Sequence, residues 1–181
     1  MNLANKITVF RVFLIPIFMG VLYLDTPNSQ TYAAIIFIFA SLTDTLDGYI
    51  ARSRNLVTDF GKFVDPLADK LLVTAALVCL VGLGKIPAWV VVVILSREFT
   101  ITGFRTIAAS AGVTIAASPW GKVKTITQLV AISLLLLDNI IFRNYNIPMD
   151  MIMLYLALIF TVISGVDYLV RNKDVLNLDD I

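Results

Sequence analysis

The hydrophobic positions of the chain fall into six long apolar runs, separated by short polar breaks. The breaks are rich in Asp, Asn, Ser, Gly and Pro, which favour turns. Each run approaches the roughly 20 apolar residues that one helical crossing of a bilayer requires. The pattern therefore predicts six transmembrane helices, at Ile7–Leu24, Tyr32–Ala51, Pro66–Leu83, Ile86–Ala109, Val123–Phe142 and Pro148–Val170.

The composition agrees with a chain that lies almost wholly within a bilayer. Hydrophobic residues make up 59% and charged residues 15% of the 181 residues, against about 45–50% and about 25% in soluble domains. We therefore predict an all-α integral membrane protein with a single transmembrane domain over residues 1–181. The basic start at Lys6 and Arg11 resembles a signal peptide, but no small-residue cleavage site precedes Asp25, so we expect a retained span.

The basic residues predict the orientation of these helices. Of the 14 lysines and arginines, only Lys85 and Arg143 fall toward one side of the predicted membrane, and the rest fall toward the other. Because loops rich in Lys and Arg stay in the cytoplasm, we expect both termini to be cytoplasmic in a multi-pass plasma-membrane protein. The net charge of +1 lacks the basic excess that is typical of nucleic-acid-binding proteins.

Cysteine and histidine are nearly absent from the sequence. Cys79, the only cysteine, lies in an apolar run, which favours a small core side chain and excludes a disulfide framework or a cysteine zinc cluster. Because the chain has no histidine, any general base has to be Asp, Glu, Lys or Tyr.

Four aspartates lie where the second and third runs meet a polar connection. Asp44 and Asp47 are three residues apart, and Asp65 and Asp69 are four apart, so each pair shares one face of a helix. An ionised aspartate inside a span costs about 2.5–3.5 kcal/mol, and four gathered carboxylates also repel one another. One or two bound divalent cations relieve both costs. Oxygen donors without nearby His or Cys suit Mg²⁺ or Mn²⁺.

Small and basic residues surround these aspartates. Gly48, Ala51 and Gly61 leave room for close approach of a backbone or a ligand, and Arg52 suits a phosphate or a carboxylate. The alternative is that the aspartates are loop charges paired with the nearby basic residues Arg52, Arg54, Lys62 and Lys70.

The complete pattern, D-x2-D-G-x2-A-R-x8-G-x3-D-x3-D from Asp44 to Asp69, resembles the signature of the CDP-alcohol phosphatidyltransferase family at every fixed position. The resemblance implies a six-helix membrane fold, usually a homodimer, with two metal ions held by Asp44, Asp47, Asp65 and Asp69. It implies that CDP-diacylglycerol lies over the signature, bound by Asp44, Gly48, Ala51, Arg52 and Gly61. It also implies that Asp69 takes the proton from the acceptor alcohol, whose attack on the lipid-side phosphate expels CMP.

A second set of polar residues predicts an acceptor that carries a phosphate. Arg97 and Arg105 are eight residues apart, within about a quarter-turn on a helix. Glu98 is the only acid near them in sequence, so positive charge is in excess, and guanidinium groups bind phosphate well. The candidate acceptor-binding residues are Thr8, Arg11, Arg97, Arg105, Lys122 and Lys124.

Lys122 and Lys124 have an alternative interpretation as topology charges at a helix end. They are two residues apart, so a regular helix does not point both in the same direction. At least one of them is then free of the acceptor site.

Three short motifs resemble the branch of the family that uses sn-glycerol 3-phosphate and makes phosphatidylglycerol phosphate. They are Asn5-Lys-Ile-Thr8-x2-Arg11, Arg97-Glu98-x6-Arg105 and Gly121-Lys122-x-Lys124-Thr125. Other acceptors stay open: inositol phosphate also carries a phosphate, whereas serine lacks one and fits the cationic set poorly. From a different class, a divalent-cation transporter would carry polar residues through the whole membrane depth, but here the carboxylates cluster at one end.

Overall fold

The computed structural model of the chain describes residues 3–53, 59–110, 112–113, 115–116 and 118–172. Over these residues the protein is all-helical, as predicted, with one α-helix for each apolar run. The helices are α1 (Leu3–Leu22), α2 (Ser29–Ser53), α3 (Asp59–Gly82), α4 (Ala88–Ser110), α5 (Pro119–Leu136) and α6 (Met149–Arg171), with a short 3₁₀ turn at Arg143–Tyr145.

Helix α5 is displaced toward the N-terminus from its predicted position. It begins at Pro119 because Ser118 caps it, with the Gly121 N–H donating to the Ser118 hydroxyl at 3.2 Å. It ends at Leu136 instead of Phe142, since Asp138 and Asn139 adopt left-handed backbone conformations, each with φ of 53°. The apolar residues that follow α5 therefore belong to a connection.

The core joins all six helices. Helix α1 packs on α2 and α3, while α6 packs on α5 and α4. Aromatic rings of Phe18 and Phe37 meet at a centroid distance of 6.1 Å. Around them lie fully buried side chains from the remaining helices, among them Leu77, Ile94, Ile132 and Leu154. Cys79 is buried and free, which confirms its prediction as a core side chain.

One described helix, α6, is long and apolar enough to cross a membrane by length and composition alone. Shorter apolar stretches occupy Ile7–Leu22, Ser29–Thr43 and Lys70–Gly82. The sequence pattern had predicted six spans. The difference arises partly because charged residues interrupt apolar helices, as Arg97, Glu98 and Arg105 do in α4.

The ends of α4 carry separate charged groups. Lys85, just before α4, donates from Nζ to Gln30 Oε1 at 2.7 Å, to the Leu135 carbonyl at 2.8 Å and to Asp138 Oδ1 at 3.2 Å. Arg143 contacts the same aspartate at 3.5 Å. The sequence analysis placed Lys85 and Arg143 on the same side of the predicted membrane. In the structure both contact Asp138, at the end of α4 opposite to Arg105.

Candidate active site

Every position of the aspartate signature lies on a helix. Asp44, Asp47, Gly48, Ala51 and Arg52 belong to α2, and Gly61, Asp65 and Asp69 belong to α3. Their side chains are outside the part of the chain that the structure describes. The helical spacings of three and four residues nevertheless place each aspartate pair on one face of its helix. Helices α2 and α3 contact each other, and α1 packs against both.

The donor set of the signature suits a hard divalent cation. It offers carboxylate oxygens only, since the sequence lacks histidine and its one cysteine is buried in the core. Within the described side chains, no group of three or more His, Cys, Asp or Glu residues is placed to hold a metal ion. The two helical aspartate pairs, whose side chains supply oxygen donors, fit such an ion.

A cavity of about 580 Å³, open solvent included, lies between α3, α4, α5 and α6. We call it the arginine cavity. Three cationic side chains and one carboxylate line it, from Lys70 in α3 and Arg97, Glu98 and Arg105 in α4. Further lining comes from Thr102 of α4, from Ser118 just before α5, from Gly121 and Thr125 of α5, and from Tyr168 of α6. Asp69 of the signature directly precedes Lys70, so the signature and the arginine cavity are adjacent along α3.

Glu98 is the centre of the polar contacts in this cavity. Its Oε1 accepts hydrogen bonds from Arg97 Nη1 at 3.1 Å and from Lys124 Nζ. The three side chains are mostly buried, with 15% of Arg97, 19% of Glu98 and 6% of Lys124 exposed. One carboxylate thus balances two cations away from water, although Lys124 itself does not line the arginine cavity.

Hydrogen bonds from two further helices hold the α4 face in place. Arg97 Nη2 donates to the Ser164 hydroxyl of α6 at 3.0 Å. Lys70 Nζ of α3 donates to the Thr102 hydroxyl, which itself donates to the Glu98 carbonyl at 2.7 Å. Lys70, Arg97 and Glu98 are therefore fixed relative to one another by contacts between helices.

Arg105 lies over the ring of Tyr168. Its Nε donates to the Tyr168 hydroxyl at 3.1 Å, and its guanidinium carbon is 5.4 Å from the ring centroid. Phe104 packs edge-on against the same ring, with centroids 5.7 Å apart. Nε makes the only hydrogen bond of Arg105 with the described residues, so both of its Nη groups can bind an anion in the cavity.

The N-terminus of α5 adds to the positive potential. Ser118 and Gly121, in its first turn, line the arginine cavity. Unsatisfied N–H groups and the helix dipole give such a terminus a partial positive charge. The cavity therefore combines three cationic side chains with a helix start, an arrangement that suits an anionic group such as phosphate.

The structure separates Lys122 from Lys124. Lys124 is buried against Glu98, whereas Lys122 is exposed and does not line the arginine cavity. The expectation that the two lysines point in different directions is confirmed. Thr8 and Arg11 are both buried in α1, but they too do not line this cavity. Of the predicted acceptor residues, the cavity brings together Arg97 and Arg105.

Several site residues were missed by the sequence analysis. Lys70 was considered only as a counter-charge, and Ser164 and Tyr168 lie in a run that was interpreted only as an apolar span. Their spacing of four residues marks one polar face of α6. Gln128, four residues after Lys124 on α5, continues a polar face in the same way. These residues could have been found from the sequence as polar side chains that recur at helical spacing within apolar runs.

Comparisons with known proteins agree with the resemblance of the signature. The family model of the CDP-alcohol phosphatidyltransferases matches residues 1–163. A CDP-diacylglycerol–glycerol-3-phosphate 3-phosphatidyltransferase of Bacillus subtilis is 48% identical, covering 97% of each chain. Proteins with the same name are 40% identical in Haemophilus influenzae, over 99% of this chain and 97% of the relative, and 38% identical in Rickettsia bellii, over 92% and 93%.

Proposed function

Because the chain belongs to the CDP-alcohol phosphatidyltransferase family, we propose that it transfers a phosphatidyl group from CDP-diacylglycerol to sn-glycerol 3-phosphate. The products are phosphatidylglycerol phosphate and CMP. The observation that carries this choice of acceptor is the arginine cavity, in which Lys70, Arg97 and Arg105 face one carboxylate. Relatives named for this reaction, nearly as long as the chain, support the same choice.

The acceptor binds through its phosphate in this proposal. Arg105 presents its two Nη groups while Tyr168 holds Nε, and Arg97 is held by Glu98 and Ser164. Guanidinium groups fixed in this way lose little side-chain freedom when the phosphate binds, so more of the interaction energy appears as affinity. Lys70 and the N-terminus of α5 supply further positive charge.

The lipid substrate binds along the signature. Asp44, Gly48, Ala51, Arg52 and Gly61 contact its CDP group, and Asp44, Asp47, Asp65 and Asp69 hold two Mg²⁺ or Mn²⁺ ions. Helical placement of both aspartate pairs and their oxygen-only donors support this assignment. When bound, the ions neutralise charge on the diphosphate and on the departing CMP.

Asp69 acts as the general base. It takes the proton from the acceptor hydroxyl as the oxygen attacks the lipid-side phosphorus, and the bond from this phosphorus to the CMP oxygen breaks. Lys70, the next residue, is held by Thr102 in the wall of the arginine cavity. The acceptor phosphate is thus bound next to the chain segment that supplies the base, which orients the hydroxyl for proton transfer.

We propose further that all six helices span the plasma membrane, with both termini and the active site at the cytoplasmic side, and that the protein forms a homodimer. Large apolar side chains cover the outward faces of several helices, including Phe13 and Ile17 of α1, Phe39 of α2 and Val166 of α6. A surface of this kind suits lipid contact better than water.

The proposed reaction is tested by an acceptor comparison. Purified protein in mixed micelles receives CDP-diacylglycerol labelled in the lipid part, together with sn-glycerol 3-phosphate, inositol phosphate or serine. We expect labelled phosphatidylglycerol phosphate and CMP with glycerol 3-phosphate alone. CMP release with another acceptor only would overturn the choice of acceptor. Metal flux into liposomes without any CMP release would favour the transporter interpretation.

A further inference from the structure

Gln128 is a buried polar side chain that the proposed mechanism does not yet use. It lies in the interior of α5 and is 3% exposed. Neither its Nε2 nor its Oε1 has a hydrogen-bond partner among the residues that the structure describes. A carboxamide both donates and accepts hydrogen bonds, and burying it unpaired is unfavourable. A ligand that satisfies both atoms would remove this cost.

Gln128 borders a second space, which we call the glutamine slot. The slot has a volume of about 520 Å³, open solvent included, and lies between α3, α4 and α5. Apolar side chains such as Val73, Leu95 and Leu129 form much of its wall. Polar side chains also line the slot, from Lys70, Thr74, Glu98, Lys124 and Thr125. Glu98 and Lys124 already contact each other, and Lys70 contacts Thr102. A polar ligand atom would therefore bind the Gln128 carboxamide without breaking an existing contact of that side chain among the described residues.

The glutamine slot adjoins the arginine cavity. Lys70, Glu98 and Thr125 line both spaces, so they form a common wall. Gln128 is three residues after Thr125, a spacing at which side chains on a helix are neighbours, with Cβ atoms about 5–6 Å apart. A small molecule whose phosphate lies in the arginine cavity therefore needs to extend only about one helical turn to meet Gln128.

We propose that Gln128 recognises the hydroxyl of the acceptor that does not react, which is the C2 hydroxyl of sn-glycerol 3-phosphate. Nε2 donates a hydrogen bond to the C2 hydroxyl oxygen, and Oε1 accepts a hydrogen bond from the same hydroxyl. A hydroxyl donates and accepts, as a carboxamide does, whereas an ester carbonyl of the lipid would satisfy Nε2 alone. This assignment rests on the proposed function and makes Gln128 a specificity-determining residue.

The test compares two acceptors that differ by one hydroxyl. Initial rates of CMP release give kcat/KM for sn-glycerol 3-phosphate and for 3-hydroxypropyl phosphate, which keeps the phosphate and the reacting hydroxyl but lacks the C2 hydroxyl. We expect the wild-type protein to prefer glycerol 3-phosphate by about tenfold or more, since the analogue leaves Gln128 unpaired. In Gln128→Met, which has nearly the same volume, the preference should fall to within about threefold.

Gln30→Met serves as the matched control, because Gln30 contacts Lys85 at the opposite end of α4. It should keep the wild-type preference. A preference that Gln128→Met leaves unchanged overturns the assignment. Equal kcat/KM of the wild-type protein for the two acceptors would also overturn the assignment. This second result does not depend on whether a variant folds. Absence of any turnover with glycerol 3-phosphate, together with turnover of another alcohol, would instead contradict the proposed function itself.

Discussion

Arg105 of α4 is held on the ring of Tyr168 of α6, with Nε 3.1 Å from the phenol oxygen and the guanidinium carbon 5.4 Å from the ring centroid. The contact joins two helices and fixes the direction of the one arginine in the cavity wall that no carboxylate among the described residues pairs. A cation positioned in this way is available to an anionic substrate.

Replacing Arg105 by alanine should weaken acceptor binding selectively. We expect Arg105→Ala to raise the KM for glycerol 3-phosphate by about tenfold or more, because a charge-assisted hydrogen bond contributes about 1.5–3 kcal/mol. The KM for CDP-diacylglycerol should change little. Tyr168→Phe keeps the ring and loses the hydroxyl, so its effect should be smaller. Steady-state kinetics with each substrate varied measure both constants.

Arg143→Ala is the control for this prediction, since Arg143 is an exposed arginine at the other end of the helices. It should leave both KM values near those of the wild-type protein. If Arg105→Ala raised only the KM for the lipid, the arginine cavity would not be the acceptor site.

Lys124 and Lys122 offer a matched pair of lysine substitutions. Lys124→Met removes one of two cations from the buried carboxylate of Glu98, which keeps its contact with Arg97. Loss of this charge-assisted hydrogen bond should destabilise the protein by about 1.5–3 kcal/mol, seen as a lower thermal midpoint in detergent. Lys122→Met changes an exposed side chain and should stay within about 0.5 kcal/mol of the wild type.

The double variant Glu98→Gln with Lys124→Met separates the ion pair from general packing effects. The double variant should lose less stability than the sum of the losses in the two single variants, because both single changes remove the same contact between Lys124 and Glu98. Equal thermal midpoints for Lys122→Met and Lys124→Met would contradict the buried contact.

Gly165 of α6 leaves the space that Arg97 occupies. A Cβ added at Gly165 would lie 3.1 Å from Arg97 Cγ, closer than ordinary carbon contacts, so Gly165→Ala should displace Arg97 from Ser164. We expect a several-fold loss of kcat/KM for glycerol 3-phosphate. Gly103→Ala is the control, since no described atom lies within 4 Å of its added Cβ. That change should stabilise α4 by up to about 1 kcal/mol.

Removal of divalent cations should abolish turnover. Dialysis against a chelator would remove the ions that we propose the four signature aspartates hold, so CMP release should stop and should return when Mg²⁺ or Mn²⁺ is added. Binding of Mn²⁺, followed by electron paramagnetic resonance, should weaken in Asp65→Asn independently of any activity. Full activity after exhaustive chelation would argue against the metal assignment.

The sequence predicted the helices well because apolar runs and turn residues are local signals. All six helices overlap their predicted runs, and the aspartate signature lies on α2 and α3 as its spacing required. The C-terminal end of α5 was misplaced, since the residues after Leu136 are as apolar as the helix itself. Only the left-handed conformations of Asp138 and Asn139 end it.

The arginine cavity was predicted only in part because it depends on contacts between distant helices. Excess positive charge around Arg97 and Arg105 was visible in the sequence, but the partners Ser164 and Tyr168 come from α6, more than 60 residues away. Helical spacing showed that Lys122 and Lys124 differ in direction. It did not show which of them is buried, since that depends on Glu98 of α4.

The most direct test of the proposed reaction is the rate of CMP release by Asp69→Asn, measured with saturating CDP-diacylglycerol, glycerol 3-phosphate and Mg²⁺. Asparagine has nearly the size of aspartate but does not accept the proton of the acceptor hydroxyl, so the rate should fall by a factor of about 10² or more while CDP-diacylglycerol still binds. A rate equal to that of the wild-type protein would contradict the role of Asp69 as the base.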